Sequence, residues 1–219
     1  MTPKTRAFTH ACMFVLFAMF AGHCSIAAAQ ALPRPAEFYF DEDASVAAPI
    51  VAIAGEDEAT IEQLVRLMER GGRHADQAVA QLAHLSMASG RTDTGLALYA
   101  RARGKAAEGS LRLRALLWNQ GWDLYRAGQV DAALSAWMQA YANRIVHPSW
   151  VPPTFALALW KLDRRDEAVA WYAAAVRTYP DRWSNPAALP GLLPDWSEAD
   201  RTSLAEVLAA WRQDPPAWP

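Results

Sequence analysis

Trp118, Trp122, Tyr125 and Arg126 follow one another at spacings of 4, 3 and 1 residues, which on a helix sets three aromatic rings along one face with a guanidinium at its edge. Rings beside cations suit extended or proline-containing peptides and acidic termini, so the chemistry on offer is recognition. Trp150, Leu157, Trp160 and Lys161 form a comparable set further along, and Gln77, His84 and Met87 an earlier one. All ten tryptophans lie between Trp118 and Trp218, which places the candidate surface in the second half of the chain. Two competing readings stand beside this one. A slip of one residue in register turns Trp118 and Tyr125 into ordinary packing residues and puts Trp122 where a small residue is needed. Flat indole rings also stack on sugars, which makes cell-wall glycan the alternative ligand.

Catalytic chemistry has little to build on. Beyond the first 29 residues there are three histidines, His74, His84 and His147, and no cysteine, with no metal-ligand spacing among them. Neither a glycine-rich phosphate loop nor a nucleophile elbow is present, and the acidic runs Asp41–Asp43 and Glu56–Glu58 read as solvated charge. The expectation is a non-enzymatic protein with no cofactor and no metal.

The positions of these residues follow from an internal repeat. Ala83, Gly90, Gly95, Tyr99 and Ala102 recur as Gly121, Gly128, Ala133, Trp137 and Ala140, and again as Ala156, Asp163, Ala168, Tyr172 and Ala175. The internal spacings of 7, 5, 4 and 3 are kept while the set shifts by 38 and then 35 residues. A period of that size is the signature of stacked two-helix units. The pattern resembles the tetratricopeptide repeat family, in which a small residue brings two helices close, a turn follows, and a small residue with an aromatic four later packs the return helix. Asp163 departs from the turn glycine, Gly95 from the expected alanine, and Pro180 stands where the family stops its second helix. The resemblance spans about 73–180. It implies a helical solenoid whose groove is lined by the face carrying Trp118, Trp122 and Tyr125, with Arg126 and Lys161 at its edge. The family's clamp for a C-terminal carboxylate needs Lys and Asn where this chain has Trp118 and Trp122, so that activity is not implied.

Ahead of the repeats, Lys4 and Arg6 precede an apolar run from Ala11 to Ala21, and Ala27 to Ala29 offer a small-residue cleavage site. This predicts an exported protein, periplasmic or secreted, cleaved after Ala29 and free of a membrane span thereafter. Both cysteines, Cys12 and Cys24, fall in the segment removed, so no disulfide is expected. The net charge of −2 becomes −4 once Lys4 and Arg6 are lost, and residues 30–63 hold one cation against eight anions. A balance of that sign excludes general nucleic-acid binding.

The expected organisation is a signal peptide over 1–29, an acidic, proline-containing arm over 30–57, repeats over 58–180, and a proline- and tryptophan-rich cap over 181–219. Helices are predicted from Glu58 to Gly71, over about 75–89, 93–104, 110–127, 130–143, 151–162 and 165–178, and from Ser197 to about Gln213. The stretch between Pro180 and Ser197 is too proline-rich to be read as helix. The tail beyond it is expected to fold back. The fold class is therefore an all-α, tetratricopeptide-like solenoid of about three repeats with capping helices, and the expected partner is a peptide segment of another envelope protein.

Overall fold

The first helix, α1 (Glu58–Arg70), starts where Asp57 can hold it: its carboxylate accepts from the Thr60 backbone N–H at 2.8 Å and from the Thr60 hydroxyl at 2.5 Å. It ends at Gly71 and Gly72, whose φ angles of 78° and 90° suit glycine alone at no steric cost. In this computed structural model the described residues are 32, 35, 39–41, 46–142 and 146–217. The expected signal peptide, its cleavage site, Phe38, Glu42, Asp43 and Trp218 lie outside them. From Leu32 onward the chain forms one compact unit, to which everything below refers.

The architecture is helical, as expected. After α1 come α2 (Arg73–Ala88), α3 (Thr92–Arg103), α4 (Leu111–Arg126), α5 (Val130–Tyr141), α6 (Val151–Lys161) and α7 (Arg165–Thr178). Consecutive helices pack as pairs, α2 on α3, α4 on α5 and α6 on α7, with α1 against α2. One short parallel ribbon adds to them: β1 (Tyr39–Asp41) pairs with β2 (Val146–Pro148) in the register Tyr39 to Val146 and Asp41 to Pro148.

The three helix pairs turn in the same way. Gly90, Gly128 and Asp163 hold φ angles of 77°, 78° and 60°. The next N–H donates five residues back at 2.9 Å each time: Arg91 to Ser86, Gln129 to Leu124 and Arg164 to Leu159. Asp163 thus adopts the glycine conformation despite its Cβ, which Asp tolerates better than most residues.

Packing explains the small-and-aromatic pattern. A Cβ on Gly121 would collide with the Trp137 indole, whose Nε1–H donates to the Trp118 carbonyl at 3.1 Å. Tyr99, Trp137 and Tyr172 are all buried, as are Ala83, Ala133, Ala156 and Ala168 around them. Gly95 also has a local reason: the Met87 side chain fills the space an alanine methyl would take.

The region after α7 corrects the sequence reading. Instead of an irregular stretch it makes α8 (Pro180–Trp183), a 3-10 turn (Pro186–Ala188) and α9 (Leu189–Leu192), each with proline in its opening turn. Proline is tolerated there because the first helical N–H groups have no partner to lose. The last helix, α10 (Glu198–Gln213), is capped as expected: Ser197 Oγ accepts from the Asp200 N–H at 3.1 Å. It packs on α6 and α7. Pro215–Ala217, the described part of the tail, is exposed, and Trp218, on which the expected fold-back rests, lies outside the described residues.

Candidate functional site

The segment before α1 lies across α2 and α4 as irregular chain, bent at Ala48 and again over Ala52–Ala54. Gln81, buried on α2, reads its backbone: Oε1 accepts from the Ala52 and Ile53 N–H groups at 2.8 and 3.1 Å, and Nε2 donates to the Ile53 carbonyl at 2.7 Å. Asn119 on α4 donates to the Ala48 carbonyl at 3.1 Å. Gln81 and Asn119 are 38 residues apart, the same shift that relates Ala83 to Gly121. Equivalent amides on successive helix pairs therefore hold one non-helical segment by its backbone, without reference to its side chains.

Between this segment and residues 192–196 lies a cavity of about 1130 Å³. Its wall includes Trp118, Trp122, Trp150 and Trp196, with His84, Asp123 and Arg126 among its polar residues. Asp123 is 4% exposed and is surrounded by donors. Tyr99 Oη donates to Oδ2 at 2.6 Å, His84 Nδ1 lies 2.8 Å from Oδ1, and Arg126 Nη1 donates to Oδ1 at 3.4 Å. The hydrogen bond to Asp123 raises the His84 pKa against the opposing effect of burial. Burial, with Asp123 beside it, pushes the Tyr99 hydroxyl far above its ordinary value, so Tyr99 serves Asp123 as a fixed donor.

The residues named from sequence divide into three groups. His84, Trp122, Trp150 and Arg126 line the cavity, with Trp118 (4% exposed) beneath them. Tyr125 and Lys161 belong, with Trp122 and Arg126, to an adjoining recess of about 590 Å³, where Tyr125 Oη donates to Asp200 at 2.7 Å. Leu157 is fully buried, and Trp160 is engaged by Glu206 of α10 at 2.9 Å and by Arg165 over its ring at 3.9 Å. Gln77 and Met87 line neither space. Trp122 is ringed by Trp118, Tyr125, Trp137 and Trp196 at 5.1–6.1 Å between centroids. Its truncation removes packing as well as cavity wall, which makes it a poor probe of binding alone.

Sequence reasoning missed Gln81, Asn119, Asp123 and Trp196, and took Tyr99 for its ring alone. The 38-residue relation between the two amides was readable. The convergence of Tyr99, His84 and Asp123 on one point was not, since each comes from a different helix. Among the described residues no group of three or more acidic, His or Cys side chains is placed to hold a metal ion, and no helix is long and apolar enough to cross a membrane. The chain matches no family model, no curated protein and no solved structure.

Proposed function

We propose that this protein is a non-catalytic binding module of the bacterial cell envelope, built as a tetratricopeptide-like solenoid that holds an extended segment of another protein across α2, α4 and α6. The observation that supports it is the amide pair. Gln81 and Asn119, one repeat apart, already hold the backbone of a non-helical segment, the chain's own residues 48–53. Recognition through backbone groups gives affinity, and the tryptophan-lined cavity beside it gives selectivity by side-chain fit.

A photo-crosslinking residue in place of the exposed Arg126, compared with one in place of the exposed Arg91, which lies in the α2–α3 turn and lines neither space, tests this in native envelopes. The expected outcome is a partner captured from position 126 alone, with mass spectrometry placing the crosslink in an extended segment. The same captured set from both positions would remove the support.

The envelope assignment rests on the residues that resemble an export signal. Intact-mass measurement of the exported form is expected to show a chain starting at Gln30, with the lipid-free mass of residues 30–219. A mass retaining Met1 or carrying lipid on Cys24 would overturn it.

A further inference from the structure

We infer that the cavity between residues 47–56 and 192–196 is also a seat for a small aromatic or apolar molecule carrying one oxyanion, held by His84 Nε2 and Arg126, with its body against the tryptophans. Such an activity is separate from the docking of an extended protein segment and does not rest on it.

Asp123 organises this corner of the cavity. A carboxylate this buried is costly unless its oxygens are satisfied, and here they are, by Tyr99, His84 and Arg126. Asp123 is a fixed acceptor, so His84 Nδ1 carries the proton that faces it, and the ring's orientation is set. The remaining nitrogen, Nε2, is the one left for a ligand. The His84 side chain is 42% exposed, on the wall of the cavity. Protonation, which the Asp123 hydrogen bond favours, turns Nε2 from acceptor to donor.

Arg126 converges on the same Asp123 oxygen as His84 and keeps a largely exposed guanidinium, so two cationic donors flank one point. The third wall is aromatic. Trp122, Trp150 and Trp196 are only partly buried and offer ring surface to the cavity. A space of about 1130 Å³ takes a molecule of ordinary ligand size, since such pockets run from about 300 to 1,000 Å³. Glu56, whose charge reaches His84, and Asp195 are also on the lining and disfavour any negative charge not held directly by His84 and Arg126. One oxyanion on an apolar body is the chemistry that fits all these groups.

The probes are phenylacetate, phenyl phosphate and phenethylamine, which share a ring and differ in charge and head group. Binding to the protein from Gln30 onward is followed by NMR on the His84 ring and the indole N–H signals. At least one acid is expected to bind ten-fold or more tightly than the amine, and the better acid identifies the head group as carboxylate or phosphate. Its affinity is expected to fall ten-fold or more in His84→Gln and in Arg126→Gln, and to weaken as pH rises through the His84 titration. Arg126→Gln changes an exposed side chain, so it remains informative if His84→Gln fails to fold. Equal or tighter binding of the amine, no binding of either acid, or acid binding indifferent to Arg126→Gln would overturn the proposal. Capture of an extended partner segment from position 126 is read separately and can succeed or fail on its own.

Discussion

Asp123 shows how one side chain changes the meaning of its neighbours. Without it His84 would be a half-exposed imidazole on a helix; with it, the ring is oriented and its pKa raised. Asp123, Arg126 and Glu56 are the charged groups acting on it, Asp123 and Glu56 raising and Arg126 lowering. Because the folded pKa lies above the unfolded value, the His84–Asp123 contact contributes stability below about pH 6.5 and loses it as pH rises through the folded pKa. An NMR titration is expected to place His84 above the unperturbed value, and Asp123→Asn to bring it down. A His84 pKa unchanged by that substitution would remove Asp123 as the cause. Gly121 makes the second test at this scale. Gly121→Ala forces a methyl into the Trp137 indole and is expected to cost about 1–3 kcal/mol by overpacking, despite alanine's better helix propensity. Trp137→Ala, which empties the same contact, is expected to cost about 3–5 kcal/mol, both read by denaturant unfolding.

At the scale of the element, the three turns share hydrogen bonds and left-handed backbone but not residue type. Asp163 bears the steric strain that Gly90 and Gly128 avoid, and recovers part of it through the Arg165 contact at 2.8 Å. Asp163→Gly is therefore expected to stabilise the protein by about 0.5–1 kcal/mol, seen as a raised unfolding midpoint. A destabilised variant would mean that the exposed Arg165 contact outweighs the strain, contrary to the usual worth of surface pairs. The proline-bearing turns after α7 teach a related point. Proline density argued against helix there, yet Pro180, Pro186 and Pro190 each sit in an opening turn, where the missing N–H costs nothing.

Across the whole molecule, the chain covers its own candidate binding face from both ends. Residues 47–56 lie on α2 and α4 through Gln81 and Asn119, while residues 192–196 bring Trp196 to within 5.2 Å of Trp122. Ahead of residues 47–56 the backbone of Tyr39–Asp41 pairs with Val146–Pro148, and the apolar stretch after it reaches the helices. A tethered segment acts at an effective concentration of about millimolar, so displacing it costs affinity for any competing chain. Deleting residues 30–55 is expected to raise affinity for an extended partner, whereas deleting 30–43 alone leaves the amide contacts in place and is expected to change it little. Binding measured on both truncations, with melting curves to confirm folding, checks this. Equal affinities for all three forms would show that the segment does not compete.

Helix positions, turns and the tight Gly121 contact were legible in the sequence because they depend on local rules: caps, periodicity, and small residues at fixed spacing from an aromatic. Ser197 capping α10 and Gly71 closing α1 are of that kind. The candidate site was only half legible. Trp122, Arg126 and His84 could be named from helical spacing, but not the carboxylate that joins Tyr99 to His84, nor the burial of Leu157 or the capture of Trp160 by α10. Those depend on which helices pack side by side and on where the two chain ends come to rest. Such contacts join residues far apart in sequence, and their energies are set by three-dimensional packing, which no spacing along the chain encodes.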